Sequence, residues 1–485
     1  MDFAYLSRAK STKNQNMKRY STLLLLILIT QLCISQVTFK KTFNITGKDY
    51  GGSVIETKDG NYLVFGASYD DPGGNNYFLL KTDLYGNSLW VKKFPGDFAA
   101  SVNTTQTLLE TSDSGYLFTT ASSYKLNLIK TDKNGDTLWT VKYPEFRYAA
   151  IQPTPDGGFI LFGNDTANKI TLIKTDQNGL PEWKKRYLIG GDSLYFFDYH
   201  SVKQLRDGGY ILSGTFSNVP TFWTTEYIFL MKVSSTGDSL WYKKYSNVSM
   251  QASTAVQETP DNGFIIGGNL DSNGTNTHFN GYVLKLNAAG DTLWTKVYGG
   301  SGNQYFEAFE PTSDGGYIAV GASQEPSQLF YVLYLVRMNA AGDTLWTKYY
   351  PEAGTDIGGY SIRQTRENGF IICGGIGNQD TDGKVLLMKT DSNGETFPEG
   401  ISETNGSSLL EIFPNPTTGK FFLNPPGKFS EAEISDLYGR IILRKELNPN
   451  LNSTLIFDLT GKPKGVYLVK LKNSGSVLAG RVILN

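Results

Sequence analysis

Along residues 37–400 the apolar positions recur in short bursts of period two, split by turns rich in Gly, Asp and Asn. Alternation of this kind predicts strands with one face inward, and no long stretch of helical period interrupts it. The bursts are themselves periodic. The phrase GDTLWTK stands at 290–296 and again, letter for letter, at 342–348. GNSLWVK at 86–92, GDTLWTV at 135–141 and GDSLWYK at 237–243 are close copies, GLPEWKK at 179–185 is a worn one, and GETFPEG at 394–400 has lost its tryptophan. A second phrase, Thr-x-acid-x-Gly-aromatic, lies upstream of each, with its aromatic at Tyr62, Tyr116, Phe159, Tyr210, Phe264, Tyr317 and Phe370. Seven copies spaced by about fifty residues are the signature of a propeller or solenoid.

Each unit reads as four strands. One leads into the Asp-Gly turn, a second follows it, a third ends at a D-x-x-G turn whose Gly can take positive φ, and a fourth begins at the tryptophan. That fourth strand runs Trp-x-Lys-x-aromatic, as in Trp294, Lys296 and Tyr298, so period two places all three on one face. The predicted fold is all-β: a seven-bladed β-propeller, followed by a small β-sandwich domain. The seventh unit lacks its tryptophan strand, and Phe39-x-Lys41-x-Phe43 at the front of the chain fits the same pattern. A propeller over 37–400, closed by strand 37–43, is therefore expected; without that strand the last blade would present an unpaired edge.

The recurring tryptophans are expected to dock neighbouring blades, because ligand sites are few per protein. The phrase D-x-x-G-D-T-L-W resembles the tryptophan-docking motif of quinoprotein dehydrogenase propellers. The vicinal cysteine pair of that family is absent, so the resemblance implies the packing and not the cofactor, and no cofactor is expected.

The remaining segments carry addresses. Residues 1–36 read as an N-terminal leader and signal peptide: a basic 17–20 precedes an apolar run from Leu23 to about Ile34, too short to span a bilayer. Translation is expected to start at Met17 and cleavage to follow Ser35, and anchoring through Cys33 is the lesser alternative. Cleavage leaves Cys373 as a lone buried thiol, so no intramolecular disulfide is expected. Residues 401–411 form a polar linker. In 412–485, Phe413-Pro414-Asn415-Pro416 with Gly419, Asp436-Leu437-Tyr438-Gly439-Arg440, Lys464-Gly465-Val466-Tyr467-Leu468 and Arg481-Val482-Ile483 follow in order. This stretch resembles the type A C-terminal sorting domain of the type IX secretion system of Bacteroidetes-type bacteria. The resemblance implies a small β-sandwich that engages the secretion machinery and takes its passenger across the outer membrane to the cell surface or medium.

Charge and chemistry narrow the function. Lys plus Arg number 45 against 46 for Asp plus Glu, which gives no pull toward nucleic acid. His200 and His278 share no motif, and no metal site is expected; Asp380-x-Asp382-Gly383 lacks the downstream Glu of a calcium loop and reads as a turn. Glu56, Glu110 and Glu258 share one phase of the first strand with Gln204 and Gln364, which marks them as architectural rather than catalytic. The fourth unit breaks the pattern: it is the longest, holds the off-phase tryptophan in FSNVPTFWTTEY at 216–227, and carries DSLYFFDYH at 192–200. Trp223, Phe222, Tyr195 and Phe196 are the candidate ligand-binding residues, an aromatic patch for a sugar or protein surface, with a local hydrophobic plug as the equal alternative. The expected role is a secreted or cell-surface binding module, a monomer with no transmembrane segment once processed. A carbohydrate-active enzyme using the central channel is the alternative, since hydrolysis needs two facing carboxylates.

Overall fold

The computed structural model describes residues 37–70, 74–96, 107–122, 125–167, 169–188, 195–217, 226–245, 251–271, 278–377, 382–396, 410, 412–423, 428–436, 440–448, 454–473 and 477–484. Residues 1–36, expected to be the leader, lie outside them, as does the expected linker 401–411 apart from Leu410, which is buried in the core of the second unit. All described regular structure is β, and the chain divides into two compact units, Met1–Thr396 and Phe397–Asn485.

Seven four-stranded antiparallel sheets make up the first unit. The first runs Lys48–Glu56, Tyr62–Asp70, Gly74–Thr82, Ser88–Pro95 from inner to outer strand. Five more repeat that order, ending with the sixth, which begins at Asn303–Pro311 and closes at Thr344–Tyr350. The seventh takes Ile357–Gln364, Phe370–Ile376 and Lys384–Thr390 from the end of the unit and Phe39–Phe43 from its start. Phe39 pairs with Lys389 and Phe43 with Val385, and inner strands of the seventh sheet pack on Lys48–Glu56 of the first. The ring of sheets is a β-propeller.

Its two repeated phrases touch each other across every described sheet boundary. Each tryptophan of an outer strand lies over the D-x-x-G glycine of the next sheet: Trp90 on Gly135, Trp139 on Gly179, Trp183 on Gly237, Trp241 on Gly290, Trp294 on Gly342, Trp346 on Gly394. Those glycines hold φ between 75° and 80°, and a methyl at Gly342 would stand 2.5 Å from the Trp294 ring, so only glycine satisfies both demands. The same rings meet the first aromatic of the next sheet, Trp241 against Phe264 at 5.8 Å and Trp346 against Phe370 at 6.1 Å. Phe39 makes the equivalent contacts with Gly86 and, at 5.9 Å, with Tyr62.

Polar groups follow the same rule. Two places after five of the six outer-strand tryptophans a lysine reaches an acid of the next sheet, Lys92 to Asp136 at 2.6 Å and Lys185 to Asp238 at 2.9 Å, while Trp139 is followed there by Val141. The aromatic two places further on is Phe94 in the first sheet and in the next five a tyrosine that donates its hydroxyl to the glycine carbonyl, Tyr187 to Gly237 at 2.7 Å. Within each sheet a third-strand cation sits under the Asp-Gly turn and binds its acid: Lys81–Asp59, Lys130–Asp113, Lys174–Asp156, Lys232–Asp207, Lys285–Asp261, Arg337–Asp314 and Lys389–Glu367. For Asp113, Asp156 and Asp261 burial alone would raise the carboxyl, but the neighbouring threonine hydroxyl, the lysine and a backbone N–H outweigh it and bring it to about 2.

The second unit stacks a three-stranded sheet, Ile412–Phe413, Lys420–Leu423 and Leu455–Asp458, and a four-stranded one built on Glu431–Asp436, Ile441–Glu446, Gly465–Lys472 and Val477–Leu484. Its core holds Phe421, Leu423, Ile434, Phe457, Tyr467, Val469 and Val482.

Candidate binding face

In each sheet the Asp-Gly turn and the D-x-x-G turn emerge at one end of the ring. The other two connections, from second to third strand and from each sheet to the next, emerge at the opposite end. The first face is uniform, because its turns are the repeated phrases. The loop face and the inner strands are where the repeats differ from one another.

Repeated acids are accounted for by architecture. Glu110 accepts the backbone N–H of Lys58 at 2.7 Å, Glu258 that of Arg206 at 3.0 Å, Gln364 that of Ser313 at 2.7 Å and Glu56 that of Arg366 at 2.8 Å, each from the neighbouring sheet. A cleft of about 450 Å³ on the turn face, between sheets six and seven, is lined by Trp346, Arg337, Asp314 and Gln364, all members of repeated contacts.

A cleft of about 230 Å³ opens between the same two sheets on the loop face, and its walls are not repeated. Tyr305 and Tyr360 come from the two inner strands, Tyr331 from the loop before Val332–Met338, and Asp356 from the connection into Ile357–Gln364. Tyr305 and Tyr331 meet edge to face at 5.8 Å, and the Asp356 carboxylate accepts the Tyr331 backbone N–H at 2.7 Å, fixing the loop. Gly358, Gly375 and Gly377 keep the floor low. Leu329, 86% exposed, and Phe330 stand on the same loop. Tyr360 leads on to the first sheet through Tyr50 at 6.2 Å, which is stacked on Tyr69 with their hydroxyls 2.6 Å apart. Burial, then the neighbouring tyrosines, pushes the Tyr50 phenol well above its usual range.

Below the cleft the channel wall carries Glu307. It is the extra residue of a β-bulge between Phe306 and Ala308, and Tyr360 occupies the matching bulge between Gly359 and Ser361. Such bulges re-aim a side chain out of the sheet. Glu307 forms no hydrogen bond or ion pair among the described residues, and burial raises its carboxyl to about 7. A raised carboxyl destabilises the fold as it ionises: the penalty is absent below the unfolded value near 4.5 and complete once pH has risen through about 7. Glu307→Gln is therefore expected to match the parent at pH 4.5 and to be more stable by about 2 kcal/mol at pH 8, allowing for channel water. Urea midpoints across that range measure it, and a pH-independent difference would refute the assignment.

Phe222 and Trp223 lie outside the described residues. Tyr195 and Phe196 begin the inner strand Tyr195–Gln204, where their backbones pair with Ser217 and Phe216. At the root of that loop Phe216 is buried beside Tyr227, with the Lys244 ammonium 3.3 Å from the Tyr227 ring centre. Sequence reasoning missed Tyr305, Tyr331, Tyr360, Asp356 and Glu307. A signal was present: five places before the turn threonine, where sheets one, three and five carry Gly52, Ala149 and Thr254, sheets six and seven carry Glu307 and Tyr360.

Among the described residues no group of three or more His, Cys, Asp or Glu could hold a metal, and no helix is long and apolar enough to cross a membrane. Asp380 lies outside them. Cys373 is fully buried, and burial pushes its thiol far up.

In the second unit Asn415 clamps the last strand: its amide donates to the Arg481 carbonyl at 2.8 Å, and its carbonyl accepts from the Ile483 N–H at 2.9 Å. Pro414 and Pro416 flank it, both after cis peptide bonds. Gly419 lies against Thr460, Gly465 opens the strand Gly465–Lys472, and the buried Tyr467 donates to the Pro463 carbonyl at 2.6 Å. Tyr438 and Gly439 lie outside the described residues.

Residues 411–485 match the family described as the secretion system C-terminal sorting domain. The chain is thus an exported protein, secreted or held at the cell surface, with a tail addressed to secretion machinery. No curated protein matches it. Solved structures similar to it include a streptogramin B lyase (13% identity, 72% of this chain and 98% of the other, TM-score 0.43). The propeller domain of the trilobed protease from Pyrococcus furiosus (10%, 74% and 100%, 0.43) and the Dos1 propeller (12%, 72% and 94%, 0.43) are others.

Proposed function

We propose that this chain is an exported binding module of type IX secreting bacteria, which leaves the inner membrane through a signal peptide within residues 1–36 and recognises a saccharide on its loop face. The observation that carries the reading is the convergence of Tyr305, Tyr331 and Tyr360 with the Asp356 carboxylate in one cleft between the sixth and seventh sheets. Aromatic rings offer flat apolar faces to a sugar's C–H surface, and a carboxylate accepts from its hydroxyls. The fourth-sheet aromatics Trp223, Phe222, Tyr195 and Phe196 are proposed as a second contact area on the same face. The test is a glycan array, run beside a peptide array, with the parent, Tyr305→Ala, Tyr331→Ala and Trp223→Ala. Saccharide binding should fall at least about tenfold in the two cleft variants, the loss of one anchoring ring, with little change in melting temperature. Binding confined to peptides would replace the saccharide with a protein ligand, and binding untouched by the two cleft variants would move the site elsewhere.

A carbohydrate-active enzyme using the channel is the second reading, and Glu307 is the observation in its favour: an unpaired carboxyl held near neutrality is suited to proton donation. The ionised partner it needs would be Glu310, three residues along the same strand, which is already in an ion pair with Arg363. Release of reducing sugar from polysaccharides by the parent, lost in Glu307→Gln, would establish this activity.

A further inference from the structure

The inner strands place one residue each, two before the turn threonine or its equivalent, at one level of the channel. On sheets one to three these are Ile55, Leu109 and Gln152; on sheets four to seven they are Lys203, Gln257, Glu310 and Arg363. Two members, Ile55 and Leu109, are apolar, Gln152 and Gln257 are neutral amides, and the three charged members fall on sheets four, six and seven although the positions are equivalent, a difference the propeller's packing does not require.

The polar members on sheets four to seven are incompletely satisfied. Arg363 bonds the Glu310 carboxylate and, at 3.0 Å, the Ile362 carbonyl. Lys203 forms no hydrogen bond or direct ion pair among the described residues; it feels the charges of Glu310 and Arg363 at longer range. Gln257 is 8% exposed, and its side-chain amide nitrogen is buried with no hydrogen-bond partner. Among the described residues two cations face one anion, and the Gln257 amide nitrogen has no acceptor. Glu307, the remaining described titratable group of this wall, stands three residues above Glu310, and burial leaves it only partly ionised at neutral pH. Burial, followed by the opposing influences of Glu310 and Arg363, lowers the Lys203 ammonium below its usual range.

An unpaired ammonium and an unpaired amide donor each cost stability in a closed space. One species removes both costs together: a small anion with oxygen acceptors. A cation is opposed by the net charge, and an apolar ligand leaves the donors unmet. We propose that the channel is a binding site for a small oxyanion, a carboxylate or phosphate group, held by Lys203, Gln257 and Arg363. The site is separate from the tyrosine cleft and does not depend on the saccharide reading.

The full mature chain is titrated by calorimetry with sodium phosphate and, separately, sodium acetate, at ionic strength held constant with sodium chloride. Thermal melts are run in the same solutions. One-site binding of phosphate, acetate or both is expected, with a saturable rise in melting temperature above the chloride reference. Either anion alone supports the site and tells which oxyanion it prefers. Lys203→Met should weaken binding at least about tenfold, and Gln257→Leu several-fold. Lys125→Met, an exposed lysine on the second sheet, should bind as the parent does. General salting stabilisation by phosphate raises every variant equally, so the comparison between variants removes it. If Lys203→Met does not fold, Gln257→Leu, close in volume, decides alone. No binding of either anion beyond chloride, or full binding by the Lys203→Met or Gln257→Leu variant, would overturn the proposal and leave the channel to water.

Discussion

A variant lacking residues 37–43 is expected to lose more stability than any single core truncation in the propeller. The segment supplies the fourth strand of the seventh sheet, pairing residue for residue from Phe39↔Lys389 to Phe43↔Val385. Phe39, 2% exposed, fills a core shared by the first and seventh sheets, with Val54, Tyr62, Phe78, Ile371 and Leu387. Its ring also covers Gly86, as the tryptophans cover their glycines. The Lys389 ammonium donates to the Val37 carbonyl at 2.7 Å and would be left with Glu367 alone. Phe39→Ala by itself should cost about 3–5 kcal/mol, the usual loss for a buried phenylalanine. The deletion adds the ladder hydrogen bonds and exposes Lys384–Thr390 as an open edge, which also invites pairing between molecules. Urea unfolding of parent, Phe39→Ala and the deletion should rank in that order of decreasing midpoint. A deletion midpoint at or above that of Phe39→Ala would show that the ladder contributes nothing.

The propeller was legible in the sequence because its joints are made by residues with few substitutes. Trp294 over Gly342 demands a flat ring at one place and a residue without Cβ at positive φ at the other, so both letters recur. The Asp-Gly turn recurs with its buried cation for a similar reason: a lysine under a turn must keep its acid. The tail was legible because Asn415 and Tyr467 hold fixed positions, one clamping the last strand and one in the core. The cleft was not legible. Tyr305 and Tyr360 are two of 29 tyrosines, most of them in strand-like contexts, and nothing in a period of two says which face lines a channel. Loop length drew attention to the fourth unit, whereas the cleft arises from side chains on inner strands of ordinary length. Comparing equivalent inner-strand positions between repeats isolates Glu307, Lys203, Glu310 and Arg363, where a charged or ionisable group replaces the apolar or neutral polar residue that other repeats carry, such as Ala149, Thr254, Ile55 and Gln152.

Removal of 412–485 should abolish appearance of the protein outside the cell while leaving the propeller folded. The hydrophobic core of the second unit is drawn wholly from its own residues, Leu410 to Leu484, and none of the propeller's core clusters includes a residue beyond Met388. The truncated chain thus keeps every contact described for the seven sheets, and its melting temperature should lie within about 2 °C of the propeller transition in the parent, less than 1–2 kcal/mol for a domain of this size. What it loses is the address. Export is expected to stop at the periplasm, with the leader removed, if the signal peptide proposed within residues 1–36 carries the route across the inner membrane. Asn415→Ala gives a graded version of the same experiment. It removes both hydrogen bonds to Arg481 and Ile483 at the terminal strand, each worth about 1 kcal/mol, without touching the tail's apolar core. Partial export by Asn415→Ala and none by the truncation would show that the machinery reads a folded terminus rather than mere chain length. Fractionation with an antibody to the propeller measures all three proteins. Parent-level truncated protein in the medium or on the cell surface would remove the tail from the export route altogether.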